Sequence, residues 1–143
     1  MKKILIINGP NLNMLGIRKR ELYGNENLED INNFIKSQVH DAELTFFQSN
    51  SEDEIIDQIH AAMKLYDGAV INPGAFTHYS YAIADAIEAV DIPVVEVHIT
   101  NIHAREEHRR KSVTAPYCAG QISGLGKYGY ILAINWLLIL NTN

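Results

Sequence analysis

Short apolar runs alternate with stretches of helical period five times along the chain, the arrangement of repeated strand-helix units that close a parallel sheet. The runs at 3–7, 43–47, 68–71, 93–97 and 119–122 are brief and rich in β-branched or apolar residues, and each reads as a strand. Helical signals fill the gaps. Asn27 is placed to cap a helix with Leu28, Ile31, Phe34, Ile35 and Val39 on one face, and Ser51 with Glu54 spells a capping box ahead of Ile55, Ile56, Ile59 and Met63. A third helix is expected over 80–90 with Ile83, Ala86, Ile87 and Val90 inward, and a last one over 128–140. Residues 99–112 read as a loop leading into one or two helical turns.

Right-handed crossovers leave few ways to order five parallel strands. The expected fold is α/β: a flavodoxin-like doubly wound five-stranded parallel sheet, order 2-1-3-4-5, with helices on both faces. A chain of 143 residues makes one ordinary domain, whose folding removes roughly 70% of the unfolded surface from water. With 47% hydrophobic and 20% charged residues, four Pro and nine Gly, no sizeable disordered tract fits, so a single catalytic domain over 1–143 is expected. The lone Cys118 makes no intrachain disulfide. The apolar run 4–7 behind Lys2 and Lys3 is shorter than the about 7 to 15 residues of a signal peptide's core. The apolar stretch 131–140, broken by Asn135, falls below the about 20 residues of a membrane span and reads as a buried helix. A cytoplasmic protein with no membrane partner is expected. The net charge of −5 argues against nucleic acid, whose binding depends on Lys and Arg at phosphates. Two local clusters, Arg18, Lys19 and Arg20 and then Arg105, Arg109, Arg110 and Lys111, can still draw a small anion into a cleft; taken alone, each reads as a solvated face.

In open α/β sheets ligands bind beyond the carboxyl ends of the strands. There the chain carries Asn8, Gln48, Asn72, His98 and Ser123, all polar and none acidic. One polar loop residue means little; five together fit a hydrogen-bonding pocket for an oxygen-rich ligand. Other chemistries drop out on spacing. Gly124, Gly126 and Gly129 spell GxGxxG, but the acidic partner expected about 20 residues later falls beyond Asn143. A P-loop fails because Tyr128 follows Lys127 and Gln121 occupies the first glycine position. His98, His103 and His108 share neither one helix face nor a zinc spacing, so no metal site is expected. No GxSxG serine elbow occurs, and Cys118 lacks a nucleophile's local signature.

The stretch Gly9-Pro10-Asn11-Leu12-Asn13-Met14-Leu15-Gly16 is followed by Arg18 and Tyr23-Gly24, then Gln48-Ser49-Asn50, then Asn72-Pro73-Gly74-Ala75 with Thr77-His78 and Ser80. Next come Glu96-Val97-His98 with Asn101, Ala104-Arg105-Glu106 and Arg109, and finally Gly124-Leu125-Gly126 with Gly129-Tyr130. This combination, spanning essentially the whole chain, resembles the type II 3-dehydroquinate dehydratases. The resemblance implies a lyase that converts 3-dehydroquinate to 3-dehydroshikimate by anti elimination of water through an enolate, with a small anionic substrate and no metal or organic cofactor. It implies Tyr23 as the base, Arg18 as its electrostatic partner and His98 as the acid, with Glu96 positioning the His98 ring. Asn11 holds a water at the enolate oxygen, and Asn72 orients His98 and a substrate hydroxyl. His78 and Arg109 bind hydroxyls, and the amides of Ile99 and Thr100 take the carboxylate. A homo-oligomer, trimers assembled into a dodecamer, is also implied, with Asp85 of one subunit reaching a neighbour's site. Aromatic amino acid biosynthesis through the shikimate pathway and quinate breakdown both remain open as its setting.

The residue types suit that chemistry. A free tyrosine has a pKa near 10, so holding its anion at neutral pH takes roughly 3 to 4 kcal/mol, and a close arginine lowers an acid's pKa by about 1 to 3 units. A histidine near its unperturbed pKa of about 6.5 has a proton to give at neutral pH. Gly16 and Gly24 bracket the segment carrying Arg18 and Tyr23, which reads as a lid closing over substrate. Lys19-Arg20 stands where the family usually has Glu-Pro, which makes Arg20 a rival to Arg18. Asp53 replaces a common glycine, Thr100 a frequent serine and His108 a frequent phenylalanine. The rival from another class is a non-catalytic flavodoxin-like module binding phosphate or flavin at the same strand ends, which leaves Arg18, Tyr23 and His98 without a use.

Overall fold

A computed structural model describes residues 1–17 and 19–140. Strands β1 (Lys2–Asn8), β2 (Ala42–Gln48), β3 (Gly68–Asn72), β4 (Val94–His98) and β5 (Gly120–Ser123) form one parallel sheet in the order β2-β1-β3-β4-β5, the arrangement the alternation predicts. Around it the described residues form α1 (Arg20–Tyr23), α2 (Leu28–Gln38), α3 (Glu52–Leu65), α4 (Tyr81–Ala89), α5 (Glu107–Arg110) and α6 (Tyr128–Ile139). None of these helices is long and apolar enough to cross a membrane.

Successive strand side chains point to opposite faces, and the core divides accordingly. Ile4 and Ile6 of β1 pack with Val70, Val95 and Val97 against α2 and α6 through Ile31, Ile35, Ile134 and Leu137. Leu5 and Ile7 pack with Ala69, Ile71 and Val94 against α3 and α4 through Ile55, Ile59, Ile83 and Ile87. Both faces are covered, which is why the strands read as near-continuous apolar runs.

Local chemistry sets the helix starts, in one case differently from expectation. The Asn27 side chain accepts the Asp30 N–H at 2.8 Å, and the Asp30 carboxylate accepts the Asn27 N–H at 3.1 Å, a reciprocal cap. Ser80 caps α4 by accepting the Ile83 N–H at 3.0 Å while donating to Glu52 at 2.6 Å, which ties the starts of α3 and α4 together. The box expected from Ser51 and Glu54 does not form. The Ser51 N–H goes instead to the Ser49 hydroxyl at 2.9 Å, which donates in turn to Glu54, and the Ser51 hydroxyl donates to Asp53. A serine two residues upstream thus takes the N–H that the glutamate would have accepted. Met63, expected inward, is 43% exposed, and Ala62 faces the core in its place. The helix expected to be buried, α6, buries one stripe, because one face alone can meet the sheet; Leu132, Trp136 and Ile139 are exposed.

The polar residues expected just beyond the strands are the last residues of the strands themselves. Asn8 pairs in register with Gln48 on one side and Asn72 on the other, and His98 pairs with Ser123. They stand in a row along one edge of the sheet. Gly9 follows at once, donating to the Asn72 carbonyl at 2.8 Å; a β-carbon there would lie 2.5 Å from the Pro73 oxygen, so any side chain would force β1 and β3 apart.

Candidate active site

One pocket opens over this edge, walled by the loops that leave β1, β3 and β4 and by α1 and α5. Asn11, Tyr23, Asn72, His78, His98, Ile99, Thr100 and Arg109 all line it, together with Pro10, Leu12, Leu15, Gly74, Ala75, Ile102 and Arg105. The loop after β1 is held from β2's end. Gln48 donates to the Gly9 carbonyl at 3.2 Å and to the Asn50 side-chain oxygen at 3.2 Å, and that oxygen accepts the Asn11 N–H at 3.0 Å. Asn11 can therefore keep a left-handed backbone, φ +67, a conformation asparagine tolerates better than most residues. Gln48 and Asn50 serve this purpose, while Ser49 between them takes the Ser51 N–H and donates to Glu54 at the start of α3.

Tyr23 ends α1 and reaches the pocket from the segment bracketed by Gly16 and Gly24, both at φ +86. A guanidinium N–H of Arg105 donates to its hydroxyl at 2.8 Å, and the same group lies 5.6 Å from the ring centroid. Arg105 also reaches the Thr100 hydroxyl at 3.5 Å. Arg18, the cation expected here, lies outside the described residues. Its rival Arg20 is exposed, donates to the Gly16 carbonyl at 2.8 Å and does not line the pocket. Arg20 is also the first residue of α1, a position that proline favours, so the family's proline and this arginine both suit it. Asp53, another departure, falls in the first turn of α3, where a carboxylate is favourable.

His98 is 5% exposed and Glu96 fully buried, two residues earlier on the same face of β4. The His98 Nε2 is hydrogen-bonded to the Glu96 carboxylate at 2.9 Å. Ser112 at 2.9 Å, Gln121 at 2.7 Å and the Thr114 hydroxyl also donate to that carboxylate, and Thr77 backs Thr114 at 2.7 Å. Burial pushes the Glu96 carboxyl up, but His98, Thr114 and Gln121 outweigh it, and the group is held below its ordinary value of 4.5. An ionised Glu96 fixes the ring's orientation and requires Nε2 to carry hydrogen.

The loop after His98 is tied to the glycine-rich loop that follows β5. The His98 carbonyl accepts the Gly124 N–H at 3.1 Å and the Ile99 carbonyl accepts the Gly126 N–H at 3.0 Å. Among the described residues all peptides are trans, so the N–H groups of Ile99 and Thr100 point away from the glycine loop, and both residues line the pocket. Across from them, His78 Nδ1 is bonded to the Lys111 carbonyl at 2.7 Å. Only an N–H can satisfy that oxygen, so neutral His78 presents Nε2 as an acceptor. Desolvation holds its pKa below the ordinary 6.5 against the opposing Lys111 bond, with the charges of His98, Arg109 and His108 acting the same way as burial. Arg109 Nε lies 2.7 Å from the Glu106 carboxylate, though not aligned for a hydrogen bond.

Of the residues expected at the site, Asp85 alone among those described stands apart. It is exposed on α4 and does not line this pocket. Two contributors were missed. Arg105 had appeared within a charged cluster and within a matched stretch, and no periodicity links position 105 to position 23. The Ser112, Thr114 and Gln121 shell around Glu96 carries no sequence signal. Among the described residues no group of three or more His, Cys, Asp or Glu is disposed to hold a metal ion.

Comparison with known proteins adds names to this geometry. A family profile described as Dehydroquinase class II matches residues 2–138. A protein of Clostridium perfringens (strain SM101 / Type A) named 3-dehydroquinate dehydratase is 59% identical over 138 residues, covering 94% of each chain. One of the same name from Caldicellulosiruptor bescii is 61% identical over 137 residues, again 94% of each. Among solved structures, a type II dehydroquinase from Butyrivibrio crossotus has a TM-score of 0.90 at 54% identity, covering 96% of this chain and 97% of that one. A 3-dehydroquinate dehydratase-like protein from Bifidobacterium longum stands further off, with a TM-score of 0.72 at 33% identity over 99% of this chain and 100% of its own.

Proposed function

The chain belongs to the class II dehydroquinase family, and from that premise we propose that it is a lyase that dehydrates 3-dehydroquinate to 3-dehydroshikimate, with Tyr23 as base and His98 as acid. One observation carries the reading: a phenol bonded to a guanidinium and an imidazole bonded to a buried carboxylate line the same pocket. Loss of water needs a base for a C–H proton and an acid for the departing hydroxyl.

Tyr23, as phenolate, takes the proton beside the ketone, and the electron pair moves onto the carbonyl oxygen as an enolate. The enolate then re-forms the ketone, pushes its electrons into the new C=C bond and expels the hydroxyl, which leaves as water with a proton from His98. One proton exchanged from Tyr23 to His98 through solvent resets both groups. A guanidinium donating to the phenol oxygen favours the negative charge that the base carries. Arg105 is one such cation, and Arg18 is read as the second. Asn11 holds a water at the enolate oxygen, Asn72, His78 and Arg109 bind substrate hydroxyls, and the Ile99 and Thr100 N–H groups take the carboxylate. The segment between Gly16 and Gly24 closes over the substrate, and Asp85 serves a neighbouring subunit's site in trimers that assemble into a dodecamer. No cofactor enters the scheme.

The test is direct. Purified protein, treated with chelator and given 3-dehydroquinate, is expected to generate the enone absorbance of the product. Absence of product, or product only on adding a metal, overturns the proposal. A yellow protein that melts higher with flavin and lacks dehydratase activity returns the pocket to a binding module.

A further inference from the structure

The row of strand-end residues contains a chain of hydrogen bonds that the reaction scheme above does not use. Tyr130, in the first turn of α6, is fully buried beneath the pocket floor. Its hydroxyl donates to the Asn8 side-chain oxygen at 2.6 Å and accepts from the Asn72 side-chain nitrogen at 3.1 Å. The Asn72 side-chain oxygen accepts the Gly74 N–H at 3.1 Å. A β-carbon on Gly129 would lie 3.2 Å from Val97 and 3.4 Å from Ile122, so the bare glycine is what lets α6 settle close enough for its neighbour's phenol to reach β1 and β3.

The polarity of this chain is forced. The Gly74 N–H can only donate, which holds the Asn72 oxygen on its side and the Asn72 nitrogen toward Tyr130, and the phenol's one proton then goes to the Asn8 oxygen. A reversed carboxamide would set oxygen against oxygen at one end and N–H against N–H at the other, both buried and unsatisfied. Burial pushes the Tyr130 phenol well above its ordinary range, which keeps that proton in place at any working pH. One Asn72 N–H is committed to Tyr130 and one lone pair of its oxygen to Gly74; the second N–H is the donor that the side chain has left for the pocket it lines.

We propose that Tyr130 is a positioning residue: through Asn8 it locks the Asn72 carboxamide so that an N–H rather than a C=O faces the substrate, and Asn72 therefore donates to a substrate oxygen. The inference rests on the dehydratase reading of the pocket. Tyr130→Phe keeps the ring and removes only the hydroxyl. It is expected to lower kcat/KM for 3-dehydroquinate about tenfold, the value of one hydrogen bond, and to weaken 3-dehydroshikimate binding similarly. In an Asn72→Ala background the same change is expected to cost less than twofold, because the group it acts through is gone. Equal losses in both backgrounds mean that Tyr130 merely supports the fold, and overturn the proposal. Product affinity completes this cycle even where turnover becomes too slow to follow. In the unaltered protein, NMR of the Asn72 side chain is expected to show one slowly exchanging N–H and a second that shifts when product binds; two freely exchanging protons refute the lock without any variant. A wild-type protein that neither turns over 3-dehydroquinate nor binds the product defeats the functional reading instead, while the protected N–H still reports on the lock.

Discussion

A guanidinium N–H of Arg105 donates to the Tyr23 hydroxyl at 2.8 Å. Tyr23→Phe removes the hydroxyl proposed as the base and is expected to lower kcat by on the order of 10²- to 10⁴-fold with the fold intact by circular dichroism; near-normal turnover would falsify its assignment. Arg105→Met keeps the side chain's bulk and removes the cation. Turnover is then expected to fall about ten- to a hundredfold, the value of one charge-assisted hydrogen bond, because the N–H that meets the Tyr23 hydroxyl is gone; unchanged turnover disconnects Arg105 from the role proposed for Tyr23. Glu96 offers a stability test. Its pKa in the folded protein lies below 4.5, so the unfolded chain binds its proton more tightly. Its contribution is therefore fully present above pH 4.5 and is lost as pH falls from there through the folded value. Melting temperature should drop over that window in the wild type and more shallowly in Glu96→Gln, and parallel curves would mean that other carboxylates carry the effect.

The helices show which local signals survive folding. Asn27 caps α2 as its spacing predicts, because both partners of the box lie within four residues and nothing else competes for them. Asn27→Ala is expected to cost about 1 kcal/mol, a loss of about 2 to 4 °C in Tm, with kcat/KM changed less than twofold, since α2 does not line the pocket. Calorimetry beside the dehydratase assay checks both halves. The box at Ser51 fails for an equally local reason: Ser49 accepts the Ser51 N–H and engages Glu54, and the Ser51 hydroxyl turns to Asp53. At α6 the apolar run was legible and its exposure was not. Periodicity cannot assign faces to a helix in which nearly every position is apolar, and packing on the sheet selects Tyr130, Ala133, Ile134 and Leu137 for burial.

Across the whole molecule the sheet order places the ends of β1, β3 and β4 side by side, and this alone brings residues near positions 11, 23, 72, 98 and 105 to one pocket. If trimers pack into a dodecamer, sedimentation should give about twelve times the 16.1 kDa chain mass, and Asp85→Ala should lower activity although Asp85 does not line its own pocket; a monomer of full activity would sink both. The sequence by itself determined the strands, their parallel order, the polar row at their carboxyl ends and the residue types the chemistry needs, because those follow from short-range periodicity and from motifs read within a few residues. Tertiary structure alone decided which arginine among the described residues meets Tyr23, which hydroxyls and amide surround Glu96, and that Tyr130 spans Asn8 and Asn72. Each of those contacts joins positions separated by 16 to 122 residues, and a hydrogen bond depends on ångström-scale placement that packing sets and sequence spacing does not encode.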